Sequence, residues 1–144
     1  MKKIKIPLKL INLQDDGFHL LVEIVVFGEK HLAVLDTGAS RTVFDKSLLN
    51  HHLTEITVAE DDHNEDHQAT TLFSTSNTVL ATLPVLKMGK LKLKKYTTVG
   101  LDLQSVNDTY EHLGHPAISA IIGGDILRKY KALIDYKKLV MKLS

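Results

Sequence analysis

Ala33-Val34-Leu35-Asp36-Thr37-Gly38-Ala39-Ser40 decides how the rest of the chain is read. An apolar strand runs into an acid, and polarity changes within one residue. A carboxylate at the end of a buried strand is costly unless it is paired or hydrogen-bonded. Gly38 permits a tight turn at no steric cost, which lets backbone N–H groups fold back toward the acid. The Thr37 hydroxyl donates or accepts locally and braces the loop. The pattern predicts a rigidly held acid at a loop tip. Taken alone, it also fits a satisfied turn acid closing an Asx-type turn.

A second stretch repeats the form without the acid: Ala120-Ile121-Ile122-Gly123-Gly124-Asp125-Ile126-Leu127. Both stretches in this order, with Ile134-Asp135-Tyr136 after them, resemble the retropepsin-like aspartic peptidases. The resemblance covers about two thirds of the chain, from Leu32 onward. It implies a mainly-β fold, a small closed barrel of the acid-protease type with one or two short helices. It implies an aspartic endopeptidase whose dyad is formed by Asp36 from two chains of a homodimer. By resemblance, Thr37 braces the paired loops, Gly38 contacts the substrate backbone, and Ala39 completes a loop of retropepsin type. Ile122 and Gly123 form the supporting turn. The stretch matching the family's flap carries Thr75, Ser76, Asn77 and Thr78 at its tip, with no glycine. Retroviral members carry an acid where Ser40 stands and an arginine where Gly124 stands, so the dimer cannot rest on that ion pair.

Composition bounds the alternatives. At 144 residues the chain reads as one domain, 1–144, with enough length for a substantial core. The 44% hydrophobic and 24% charged residues describe a globular chain. A formal net charge of +1 gives no reason to expect nucleic acid. Absence of cysteine excludes disulfides and thiolate metal sites. The basic N-terminus is interrupted by Lys5, Pro7 and Lys9, so it lacks the apolar run of a secretion signal. No run approaches bilayer length. The expectation is a cytoplasmic protein without membrane partners, with a signal already removed as the alternative.

In order along the chain, Ile4, Ile6, Leu8 and Leu10 alternate at strand period, and Pro7 marks an edge or a break. Phe18 to Phe27 and His31 to Leu35 predict a hairpin turning at Gly28-Glu29-Lys30. Arg41 to Phe44 reads as a short strand, followed by a helical turn or two capped by Asp45. Ala69 to Val85 suits a long hairpin turning near Asn77. Met88-Gly89 is the next turn, with strand residues on to Leu103. Gln104 to Pro116 reads as irregular, and Asp125 as the cap of a short helix over 126–130. Leu133 to Tyr136 and Leu139 to Leu143 form a last hairpin.

The remaining polar clusters point to bland roles. His63 and His67 lie four apart, and His112 and His115 three apart, but no helical apolar period surrounds the first pair. A solvated loop is expected there, with no metal and no cofactor. Lys87 to Lys95 reads as a solvated strand face. The leading reading is an endopeptidase acting on extended peptides as a homodimer. The alternative is a non-catalytic retropepsin-like peptide- or protein-binding module.

Overall fold

Pro7 divides the first strand between two partners, as its missing N–H demands. In the computed structural model, which describes residues 2–15, 17–58 and 78–144, strand β1 (Ile4–Gln14) pairs antiparallel with β10 (Val140–Leu143) through residues 4–7. From Leu8 onward it pairs with β2 (Gly17–Val26) instead. The expected break is thus a change of partner rather than an end.

Strand β2 turns into β3 (Glu29–Leu35) through Phe27-Gly28, at φ 53° and 73°, a two-residue turn whose positive φ values match the twist of the strands it joins. Next come β4 (Val43–Asp45), helix α1 (Lys46–His52) and β5 (Thr57–Val58). A hairpin follows, β6 (Val79–Met88) and β7 (Leu91–Leu101). Then come α2 (Gln104–His112), β8 (Ala120–Ile122), α3 (Gly124–Lys129) and β9 (Leu133–Asp135) before β10. Six strands close on themselves in the order β6-β7-β4-β8-β3-β2, because β2 returns to β6 at Val25↔Lys87 and Val26↔Leu86. This is the small closed β-barrel expected from the sequence.

Strands β2 and β3 are apolar on both faces, and the structure uses both. Leu20, Val22, Ile24, Ala33 and Leu35 join one buried cluster; Leu21 and Val34, pointing the other way, join a second. The second cluster is covered by α2, through Val106 and Tyr110.

Three expectations are corrected. Residues 104–112 form a helix rather than an irregular segment, raising the helix count among the described residues to three. Leu103, Val106 and Tyr110 at i, i+3 and i+7 supply its apolar stripe, and burial of that stripe outweighs the weak propensities of Asn107, Asp108 and Thr109. Asp45 holds the N-cap position of α1 as expected, but its side chain makes no cap bond; its Oδ1 accepts from the Leu103 N–H at 3.3 Å and ties β4 to the start of α2. Asp125 does not cap α3 either, for the reason given below. The first strand and the turn of the hairpin expected over 69–85, turning near Asn77, lie outside the described residues; from Val79 on, β6 pairs with β5 at Val58 and with β7 at Gly100.

Candidate active site

The loop after β3 is positioned by a parallel neighbour. Ala33, Val34 and Leu35 lie in register with Ala120, Ile121 and Ile122 of β8, and the Asp36 N–H donates to the Ile122 carbonyl at 3.0 Å. One step further along both strands, Asp36 stands level with Gly123. The two sequence stretches therefore meet side by side, as the apolar-strand-to-glycine pattern anticipates.

The turn itself is closed by the acid. Asp36 Oδ1 accepts from the Gly38 N–H at 2.8 Å, and the Asp36 carbonyl accepts from the Ala39 N–H at 3.1 Å. Ala39 is fully buried, and its carbonyl accepts from the Gly124 N–H at 2.7 Å. Thr37 and Gly38 stand exposed at the tip, with Asp36 half-buried between them and the core. Gly123 is required by close approach rather than by φ. A Cβ there would lie 2.7 Å from the carbonyl oxygens of Ala39 and Arg41. Asp36 and Ala39 are thus held against Ile122, Gly123 and Gly124, with Thr37 and Gly38 carried at the tip.

A further set of hydrogen bonds runs through Thr42, which is 1% exposed. Asp125 Oδ1 accepts from both the Thr42 N–H and its hydroxyl, each at 2.8 Å. The same hydroxyl oxygen accepts from the Gly123 N–H at 3.0 Å. Asp125 Oδ2 accepts from the Tyr96 hydroxyl of β7. Burial first, then the bond to Asp125, pushes the Tyr96 phenol well above its ordinary range, so it stays a donor. Asp125 sits in the first turn of α3, but its carboxylate faces the strand leaving the Asp36 loop rather than its own helix end. It is a latch between α3, β7 and that strand. Sequence reading missed Thr42 and Tyr96 in this role, because side chains that meet only through the barrel leave no periodic signal.

Other expected site residues fall elsewhere. Thr75, Ser76 and Asn77 lie outside the described residues, as do His63 and His67. Thr78 is buried just ahead of β6. His112 ends α2 while His115 lies beyond it, its Nε2 2.6 Å from the Asn12 carbonyl, so the two share no helix face. Among the described residues no cluster of three or more His, Asp or Glu side chains gathers to hold a metal, and no helix is long and apolar enough to cross a membrane.

Comparison with known proteins agrees with this geometry. The structure resembles a retropepsin-like aspartic protease from Rickettsia conorii, with a TM-score of 0.56 and 20% identity over 99% of this chain and 88% of that one. It also resembles the retroviral protease-like domain of Ddi1 from Leishmania major, with a TM-score of 0.51 and 14% identity over 83% of this chain and 82% of that one. No curated protein matches the sequence. The aspartyl protease family model matches residues 22–126, from β2 to the start of α3, taking in both the Asp36 loop and the Gly123 turn. With that match and a closed barrel carrying the acid at a braced loop tip, the chain belongs to the retropepsin-like aspartyl protease family.

Proposed function

We propose that the protein is an aspartic endopeptidase acting as a homodimer, with Asp36 of each chain forming one shared dyad. The observation that carries this reading is the Asp36 turn. Its carboxylate is oriented by the Gly38 N–H at 2.8 Å and stands beside Gly123 at an exposed tip. One such acid per chain is half of what peptide hydrolysis needs. Two close carboxyl groups share a proton, because both cannot ionise comfortably. The ionised partner takes a proton from water while the other gives its proton to the scissile carbonyl oxygen. Water oxygen bonds to the carbonyl carbon and a gem-diol forms. Passing a proton to the amide nitrogen then breaks the C–N bond and releases an amine and a carboxylic acid. A two-fold axis between the loops supplies the second acid in an isologous contact. In this reading Thr37 braces the paired loops and Gly38 binds substrate backbone.

The test is cleavage of a mixed peptide library, followed by mass spectrometry, for wild type and Asp36→Asn. Asparagine keeps the shape and the Gly38 bond but cannot serve as base, so the variant should fold and cleave nothing. Equal cleavage by both proteins overturns the assignment. Peptide capture by wild type without cleavage favours the binding-module reading.

A further inference from the structure

Four strands bring lysines onto one outer face of the barrel. Strand register sets Lys30 of β3 opposite Val25 of β2, Val25 opposite Lys87 of β6, and Lys87 opposite Lys92 of β7. Two residues further along β6 and β7, Val85 lies opposite Lys94. Partners in a ladder share a face, and Leu86, Met88 and Leu91, the neighbours of Lys87 and Lys92 in the chain, are buried on the opposite one. All four lysines are exposed. Lys87 and Lys92 are like charges directly across a ladder, an arrangement that destabilises a sheet. Among the described residues no acid pairs with Lys87, Lys92 or Lys94. The two acids at the edge of this face are already engaged, Glu23 by Lys30 at 3.8 Å and Glu29 by His52 at 3.6 Å.

The same face is hollowed. A cavity of about 310 Å³ is walled by Val25, Phe27, Pro84 and Val85, with Lys87 and Lys92 beside them. Phe27 is held in place by stacking on His52, the ring centroids 4.3 Å apart and the planes 13° from parallel. The hollow opens where β2 turns into β3. Asp36 follows the other end of β3, on the order of 20 Å away for a seven-residue strand. An apolar hollow beside unpaired cations is complementary to an apolar side chain flanked by acids. A bilayer is a poorer match, because it takes up apolar side chains that protrude. The large hydrophobic residues that stand exposed among the described residues, Leu10, Phe18, Leu133 and Tyr136, lie on other strands or at the far end of β2. Single-stranded nucleic acid stacks its bases on free aromatic rings, and the Phe27 ring is taken by His52.

We propose that this face docks an acidic, extended segment of a partner protein, seating one apolar side chain in the hollow while Lys87, Lys92 and Lys94 hold the carboxylates around it. The repulsion between Lys87 and Lys92 is relieved when an acid of the partner settles between them. The docking face is separate from the Asp36 turn and does not depend on the peptidase reading: the two lie at opposite ends of β3.

The probe is a fluorescein-labelled peptide of glutamates around one central leucine, titrated with the intact protein and read by anisotropy. Saturable binding is expected, weakening as salt is added. Lys87→Glu/Lys92→Glu should bind about tenfold more weakly or worse. Replacing the peptide's leucine by serine should also weaken binding, since the hollow is then left unfilled. Lys137→Glu/Lys138→Glu removes the same charge from the turn between β9 and β10 and should bind as wild type does. An equal loss in that control means general attraction to a cationic chain and overturns the proposal. No binding by wild type, or full binding by Lys87→Glu/Lys92→Glu, overturns it as well. Capture of phosphatidylserine vesicles in place of the peptide gives the face to a membrane and has the same consequence. Thermal unfolding adds an independent readout. Lys92→Glu sets opposite charges across the ladder, so it should melt higher than wild type while binding the peptide more weakly. A lower melting temperature would tie the lysines to the fold rather than to a partner and would count against the proposal.

Discussion

Replacing Asp125 by asparagine separates two roles for this acid by their energies. As a helix cap, asparagine serves nearly as well as aspartate, and the change costs a few tenths of a kcal/mol at most. As a latch, Asp125 accepts two bonds from Thr42 at 2.8 Å and one from Tyr96. Hydrogen bonds to a charged acceptor contribute about 1.5–3 kcal/mol each, against about 1 kcal/mol for neutral ones. Asparagine keeps its oxygen on Thr42 but turns an NH2 toward Tyr96, so the charge assistance of all three bonds is lost. The expected cost is about 2 kcal/mol. Asp125→Ala goes further, leaving the buried Thr42 N–H without its acceptor, and should cost about 3–5 kcal/mol. The assay is urea unfolding at neutral pH, reading the midpoint at constant slope. Thr42→Val completes a double-mutant cycle, in which a coupling energy well above zero is expected. If Asp125→Asn unfolds within about 0.5 kcal/mol of wild type, the latch is refuted and a cap suffices.

Three further outcomes follow from the same structure. Gly123→Ala places a Cβ 2.7 Å from backbone oxygens that cannot swing aside, and should cost about 2–3 kcal/mol with loss of any cleavage activity. Gly28→Ala, at φ 73° but with open space around it, should cost only about 1 kcal/mol, and thermal unfolding compares the two. Tyr110 has a folded pKa raised from 10.0 to about 12, so the folded state holds a proton that the unfolded chain releases. Stability should therefore fall as pH rises from 10 to 12, and Tyr110→Phe should lose part of that slope in denaturation series at alkaline pH.

The barrel was legible because strand period and turn residues agree along most of the chain. Leu20-Leu21-Val22 and Ala33-Val34-Leu35 read as buried strands, and both are buried on two faces. The Asp36 turn was legible for a local reason: its bonds to Gly38 and Ala39 join residues two and three apart. What escaped is long-range. Asp125 and Asp45 stand at helix starts, where local rules assign a cap, yet both carboxylates face residues on other elements, Thr42 and Tyr96 for one and Leu103 for the other. Helix α2 escaped because only Val106 and Tyr110 within it are buried, and its remaining residues are polar. The Leu103-Val106-Tyr110 spacing was the available signal.

The central claim, that one active site is shared by two Asp36 carboxylates, is tested most directly by mixing. Wild type is combined with increasing Asp36→Asn at fixed total protein, allowed to exchange subunits, and assayed for peptide cleavage. With a shared dyad, a hybrid carrying one acid is inactive. Activity should then follow the square of the wild-type fraction, falling to about one quarter at equal amounts, where about one quarter of the dimers keep both acids. A linear fall to about one half would show that each chain works with its own Asp36 alone, and would contradict the shared site.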